Sequence, residues 1–545
     1  MLTDQYQQKR FLVVDDFENF RNSLKKMLFD LGGQYVDTAA NGNQALKRCE
    51  QVAYDILLVD YNLGDGKNGQ QLLEQLRLTK LLKHTSIFIM VTAEVDKEVV
   101  ISTMEYQPEA YLAKPFTLGV LKHRLDKALR RNESLHDILS ALNEDNYASA
   151  IAHCDELMRN GSRYSSWCLK TKADLLYQLE HLDEAKSIYQ QAARERQPDW
   201  ALLGLGKTLA KQKYYPEALR TLTTLVQNNP VALEGYDWIA KIHQEMDDYV
   251  SAQKALAKAV SISPRSPLRQ QALAEVCWRN NDWDMAIEAY GRTVDLSRHS
   301  IHYGPNNSLD LARCLTSYVA VADEENIERL KQDSLHAISK ITKEFKGNSE
   351  VRMQSKLIET RLYAAVRDEK KTKEMINTVE AMCDKSDARR APETLLELAR
   401  TYTFIDDKEK AEEVIARLTE EYAHDPLIAK QIDTLVETPV SQEGKDKVAQ
   451  FNKIGIQHYK NDEFIVAIKK FSTALQLYPK NIVLNLNLAQ ALLSQLTGNT
   501  NNQEYWDRCQ LCFMQVEHIS ETHEQYGRYI QAKKIHDSLK QPSLN

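Results

Sequence analysis

Residues 10–20 read RFLVVDDFENF, and the fold of the N-terminal part of the chain turns on them. A tight apolar run, Phe11 to Val14, has the length and β-branched content of a buried strand. It stops on two adjacent aspartates, Asp15 and Asp16. One polar residue is enough to close a strand, whereas two neighbouring carboxylates repel each other. Downstream, ENFRNSLKKMLFDLG places apolar residues at helical spacing, so the stretch reads as strand, acidic turn, helix.

The same alternation repeats over the first 125 residues. YVDTAAN, DILLVDY, SIFIMVTA and AYLAKPF are further strand candidates, separated by amphipathic stretches such as GQQLLEQLRLTKLL. Five strands alternating with helices predict a doubly wound α/β domain with a five-stranded parallel sheet. In such sheets ligands bind beyond the carboxyl ends of the strands. At those ends stand Asp15 and Asp16, Asp60, Thr92 and Lys114. Three carboxylates brought together favour a cation, and oxygen ligands with room for water and phosphate oxygens suit Mg²⁺. A carboxylate can also take a phosphoryl group, with a lysine and a hydroxyl holding the phosphoryl oxygens.

In this set of residues the segment resembles the receiver domain of bacterial response regulators. The resemblance implies that Asp60 is the phosphoacceptor and that Asp15, Asp16, Asp60 and the backbone carbonyl of Asn62 hold Mg²⁺. It implies that Lys114, joined to Pro115 by a peptide bond that is cis in the family, binds phosphate beside Thr92 and Ala93. Thr92 and Tyr111 then form a coupled switch, and the phosphodonor is a histidine kinase or a histidine phosphotransfer protein. Two departures stand out: Gly64 in the loop YNLGDGKNG, where many receivers have proline, and Pro108 in YQPEA.

Beyond residue 130 the strand signal gives way to a repeat. EDNYASAIAHC, EHLDEAKSIYQQA, KYYPEALRTL, DDYVSAQKALAKA and NDWDMAIEAYGRT align on Ala150, Ala185, Ala218, Ala252 and Ala286, the last three 34 residues apart. Gly206, Ala240 and Ala274 fall in phase in the preceding helix, and Tyr147, Tyr215, Tyr249 and Trp283 sit at the turns. A 34-residue period of paired helices is the signature of the tetratricopeptide repeat, which the chain resembles over residues 133–300 and again at 451–479. Residues 308–436 read as helical hairpins without a firm register. The expected organisation is a receiver at 1–130, a repeat array at 131–300, diverged hairpins at 301–440, and a terminal repeat with capping helices at 441–545. SRHSIHYGPNNS (297–308) and ETPVSQEGKDK (437–447) are the linker candidates.

At the junction, residues 117–143 contain no proline, and one nearly continuous helix is expected across it. Its apolar spacing, with Asn132 in register, also suits a coiled coil, but Lys122, Arg124, Arg131 and His136 provide no complementary acids. Docking of its first half on the receiver and its second half in the array is the better reading.

The net charge of -7 argues against a sequence-independent nucleic-acid binder. No apolar run approaches the roughly 20 residues that span a bilayer, and no signal peptide opens the chain, so a cytoplasmic protein is expected. The eight cysteines are sparse, and the pair Cys509 and Cys512 reads as buried thiols on one helix face. No catalytic constellation appears after residue 130, so the output expected is protein binding rather than catalysis, by a solenoid that offers an extended surface. The alternative is a constitutive scaffold or phosphate sink competing with a sibling regulator.

Overall fold

The structure is a computed structural model that describes residues 4–93, 101, 105–384, 390–498 and 502–540. The strands β1 (Arg10–Val14), β2 (Tyr35–Ala39), β3 (Ile56–Asp60), β4 (Ile87–Thr92) and β5 (Ala110–Ala113) form one sheet in the order β2-β1-β3-β4-β5. Every pairing is parallel. Val14 pairs with Val59 and Asp60 with Val91, so the strands end nearly level and the residues after them share one rim.

Helices cover both faces, as a parallel sheet requires. After α1 (Asp4–Gln7) come α2 (Glu18–Asp30), α3 (Gly42–Gln51), α4 (Gly69–Leu78) and α5 (Leu118–Ser134). Leu24 and Leu28 of α2 and Leu121 and Leu125 of α5 bury one face with Phe11, Val13 and Ile89. Ala45 of α3 and Leu72, Leu73 and Leu76 of α4 bury the other, with Leu12, Leu57, Phe88 and Met90. Asn41, Asn68 and Thr117 cap their helices through side-chain oxygens, which fixes where each helix leaves the rim.

The junction is not one helix. Leu135 interrupts it at φ -109° and ψ 9°, and a new helix runs over His136–Asn143. The Leu135 N–H still reaches the Arg131 carbonyl and the Leu139 N–H the Leu135 carbonyl, so the break is a kink. Its cause is packing: Leu135 is 1 % exposed and belongs to the array core with Ile138, Ala150 and Cys154. Asn132 forms no coiled-coil seam; its Nδ2 donates to the Thr85 carbonyl at 2.7 Å.

Residues 136–297 form helical hairpins. Ala150, Ala185, Ala218, Ala252 and Ala286 are fully buried where the helices cross. Asp145, Glu180, Lys213, Asp247 and Asn281 hold positive φ in the turns just before the second helices, repeating the period in backbone conformation. Arg367 and Asp406 take the same conformation between Ser349–Ala365 and Glu369–Asp384, and between Pro392–Phe404 and Lys408–Tyr422. The diverged region thus keeps the hairpin turn after losing the sequence pattern.

The chain divides into two compact units at Asn307. The receiver does not stand apart: it shares the first unit with the array through residues 136–307. Both linker candidates are shorter than expected. A helix begins at Pro305, and another at Gln442, where Ser441 caps the Gly444 N–H and Asp433 holds the Val440 and Ser441 amides. All described cysteines are free thiols, and Cys509 and Cys512 are buried. No described helix is long and apolar enough to cross a membrane.

Candidate functional site

Asp15, Asp16 and Asp60 meet at the rim, each offering a carboxylate oxygen within 4.8 Å of the others. Lys114 bridges them, its Nζ donating to Asp15 Oδ2 and Asp60 Oδ2 at 2.6 Å each. The lysine also lies over the Phe20 ring, 4.0 Å from its centroid, which fixes its direction. Lys114–Pro115 is a cis peptide bond. Asp15 is tied further, its Oδ1 accepting the Phe17 N–H at 2.9 Å, while Arg21 donates to the Asp15 and Asp16 carbonyls.

Asp16 differs from its neighbour: its Oδ1 is buried and has no hydrogen-bond partner among the described residues. A buried orphan carboxylate oxygen beside two further acids is what a divalent cation would satisfy. The residues present therefore fit Mg²⁺. Burial pushes the Asp60 carboxyl up to about 6, Lys114 opposes this, and Asp15 adds to it. Burial works to lower the Lys114 ammonium, but its bonds to the two acids outweigh that and hold it above its ordinary value.

Gly69 lets α4 start directly beneath Asp60. A Cβ there would lie 2.2 Å from the Asp60 carbonyl oxygen, so no other residue fits without moving the acceptor strand. In the preceding loop Gly64 has φ +71°, which proline cannot adopt; this explains the departure at that position. The Asn62 side chain accepts the Gly64 N–H at 3.2 Å, so it braces the loop and leaves the metal role expected of Asn62 to its main chain.

Thr92 ends β4 half-buried, and Ala93 follows it exposed. Tyr111 of β5 pairs with Met90, which puts the ring on the same sheet face as Thr92, two residues along. Its hydroxyl is buried without a hydrogen-bond partner among the described residues. Tyr111, Tyr106 and the apolar face of α4 pack in one core layer.

The outer side of that layer is bonded to the array, which the sequence did not announce. The Arg269 guanidinium, 6 % exposed, donates to Glu105 Oε2 and to Asp237 Oδ2, both at 2.8 Å. Ser263 Oγ donates to Glu105 Oε1 at 2.7 Å. Glu74 of α4 meets His302 Nε2 at 2.8 Å, and Lys67 donates to the His299 carbonyl at 2.7 Å. Thr85 and His84 contact Asn132 and Asn143 at the junction. A cavity of about 1230 Å³ remains between this edge and the array, lined among others by Tyr106, Trp200, Lys207 and Asp237.

Parts of the chain match known families. Residues 11–126 match the response regulator receiver domain, and residues 170–232 and 233–266 match the tetratricopeptide repeat. The chain is 35% identical over 122 residues to the chemotaxis protein CheY-3 of Vibrio cholerae, an alignment covering 22% of this chain and 92% of that one. The chain belongs to the response regulators. The regulator is also 35% identical over 122 residues to the chemotaxis protein CheY of Pseudomonas aeruginosa, over 97% of that protein. A solved CheY-like receiver from Methanospirillum hungatei is 29% identical and aligns over 23% of this chain and 96% of its own, with a TM-score of 0.21. The regulator is thus a receiver joined to a tetratricopeptide array, a signalling module joined to a protein-binding one.

Proposed function

We propose that Asp60 of the regulator accepts a phosphoryl group from a histidine kinase or histidine phosphotransfer protein, and that this alters how the receiver edge docks on the array. The donor's P–N bond breaks as an Asp60 carboxylate oxygen bonds to phosphorus, and the imidazole leaves with the electron pair, taking a proton from solvent. Mg²⁺, held by Asp15, Asp16, Asp60 and the Asn62 carbonyl, supplies charge neutralisation for the carboxylates and the phosphoryl oxygens. Lys114 exchanges its bond to Asp60 for one to a phosphoryl oxygen. Thr92 and the Ala93 amide donate to the others.

The observation that supports switching is the shared core layer. Thr92 points into the face that carries Tyr111, and Tyr111 packs with Tyr106 and α4. Glu105, beside Tyr106, and Glu74, on α4, are two of the receiver residues bonded to the array. Inward movement of Tyr111 therefore repacks the layer whose outer side is the docking edge. The output is a change in the protein-binding surface of the array, without catalysis and without nucleic acid, and the regulator works in the cytoplasm.

The test is hydrogen exchange of the full chain with and without Mg²⁺ and beryllofluoride, for wild type and Asp60→Ala. Protection of the helix Pro267–Arg279 falls in the wild type alone. Equal protection in all four samples would leave the scaffold or phosphate-sink reading in its place.

A further inference from the structure

The second unit holds a buried charge cluster that the phosphorelay does not use. Arg313, Arg361 and Arg400 surround Glu397, which is 0 % exposed, with Asp310 beside them. Arg313 donates from Nε to Glu397 Oε2 at 2.8 Å and from Nη1 to Asp310 Oδ1 at 2.6 Å, while Arg361 pairs with Glu397 Oε1. Gln354 accepts from Arg313 at 2.7 Å and donates to Thr394 at 3.0 Å, and Arg400 reaches Gln431 at 3.2 Å.

Two features separate this cluster from a closed structural network. Three guanidinium groups face two carboxylates, so one positive charge is unbalanced where charge is costly to leave unpaired. Moreover, Arg361 Nε is buried and has no hydrogen-bond partner among the described residues. The residues come from Pro305–Val319, Ser349–Ala365 and Pro392–Phe404, the first helices of three successive hairpins. The last two of these pack directly on each other, so the cluster bridges neighbouring hairpins. The cover is thin: the side chains of Arg313, Arg361 and Asp310 are 12 %, 13 % and 22 % exposed.

We infer that Arg313, Arg361 and Arg400 form a subsite for one carboxylate of an acidic protein segment bound by the second unit. The inference rests on the reading of the repeats as a protein-binding surface and names a chemistry for the partner. The charge count selects the class. A carboxylate adds one negative charge and brings the cluster to neutrality, whereas a phosphate dianion would overshoot. The planar guanidinium fork also matches a carboxylate in two-point contact, which leaves Arg361 Nε a partner.

The experiment is thermal unfolding of the full chain, without Mg²⁺ or phosphodonor, titrated at constant ionic strength with four probes. These are N-acetyl-triglycine with a free terminal carboxylate, N-acetyl-Gly-Glu-Gly-amide, inorganic phosphate and chloride. The carboxylate probes raise the unfolding temperature saturably, and whichever is stronger identifies a chain terminus or a side chain as the source; chloride has no effect and phosphate a smaller one. Arg400→Gln removes the excess charge and abolishes the shift. Glu397→Gln doubles the excess, tightens the carboxylate about tenfold and turns the preference toward phosphate; a purely structural cluster predicts neither. No saturable shift in the wild type would overturn the inference, as would an unchanged shift in Arg400→Gln, which also decides the matter if Glu397→Gln fails to fold. Failure here leaves the Asp60 reading standing, because no step of the test uses phosphorylation.

Discussion

Glu105→Gln tests the docking edge with the smallest perturbation available: one oxygen becomes an amide nitrogen. In the wild type the Glu105 carboxylate sits 2.8 Å from a guanidinium whose side chain is 5 % exposed, with its own side chain 24 % exposed. Two unit charges about 4 Å apart at an effective dielectric near 20 attract by about 4 kcal/mol. The loss is smaller, because Asp237 still neutralises Arg269 and the Ser263 hydroxyl still finds the remaining carbonyl oxygen. About 2 kcal/mol is the expected penalty, within the range for a partly buried charged pair, and it shifts the docked-to-undocked equilibrium about 30-fold. Hydrogen exchange by mass spectrometry reads this directly. Protection falls in Pro267–Arg279 and in Gly69–Leu78 while the strands β1 and β3 keep theirs. Asp237→Asn is the control, since it leaves Glu105 as the guanidinium's carboxylate. Unchanged protection in Glu105→Gln, with the receiver still folded, would refute the argument that this ion pair holds the edge.

Three further outcomes follow from the rim. Burial raises the folded pKa of Asp60 to about 6, above its unfolded value. The folded state then binds the extra proton, so the metal-free protein loses stability as pH rises from about 4 to about 6, by up to about 3 kcal/mol. Urea unfolding in a chelator checks this, and stability rising across that window would contradict it. Lys114→Met removes the cation that competes for Asp15 and Asp60, so Mg²⁺ binds about tenfold tighter by calorimetry while beryllofluoride no longer loosens the docking edge. Gly69→Ala forces a Cβ against the Asp60 carbonyl and costs about 2 kcal/mol of receiver stability in denaturant unfolding.

The sheet and its rim were legible because the residues that make them are local to strand ends. Period-two and continuous apolar runs mark the strands, and Asp15, Asp60, Thr92 and Lys114 each follow one directly. The array was legible for a similar reason: a close helix crossing admits only a small side chain, so Ala218, Ala252 and Ala286 repeat visibly. The break at Leu135 was not, because helix propensity and the absence of proline say nothing of a leucine that the array core draws in. The Glu105–Arg269 pair was hidden by distance, its partners lying 164 residues apart with no local pattern around either. The arginine cluster was hidden by divergence, since Arg313, Arg361 and Glu397 lie in hairpins whose repeat pattern has faded.

On the proposed reading, the kink at Leu135 also bears on the kinetics of signalling. The receiver's last helix runs into the array's first with one non-helical residue between them, so there is no flexible tether on which an undocked receiver could drift away. Release is a swing about a single pivot, and the edge carrying Glu74 and Glu105 stays within a short arc of its acceptors. An outside protein competing for that surface meets an internal rival at high effective concentration. Recapture after loss of the phosphoryl group would then be unimolecular, on the microsecond-to-millisecond scale of hinge motions. On the proposed reading, the duration of the signal would then follow the lifetime of the Asp60 acyl phosphate and not a search for the docked state.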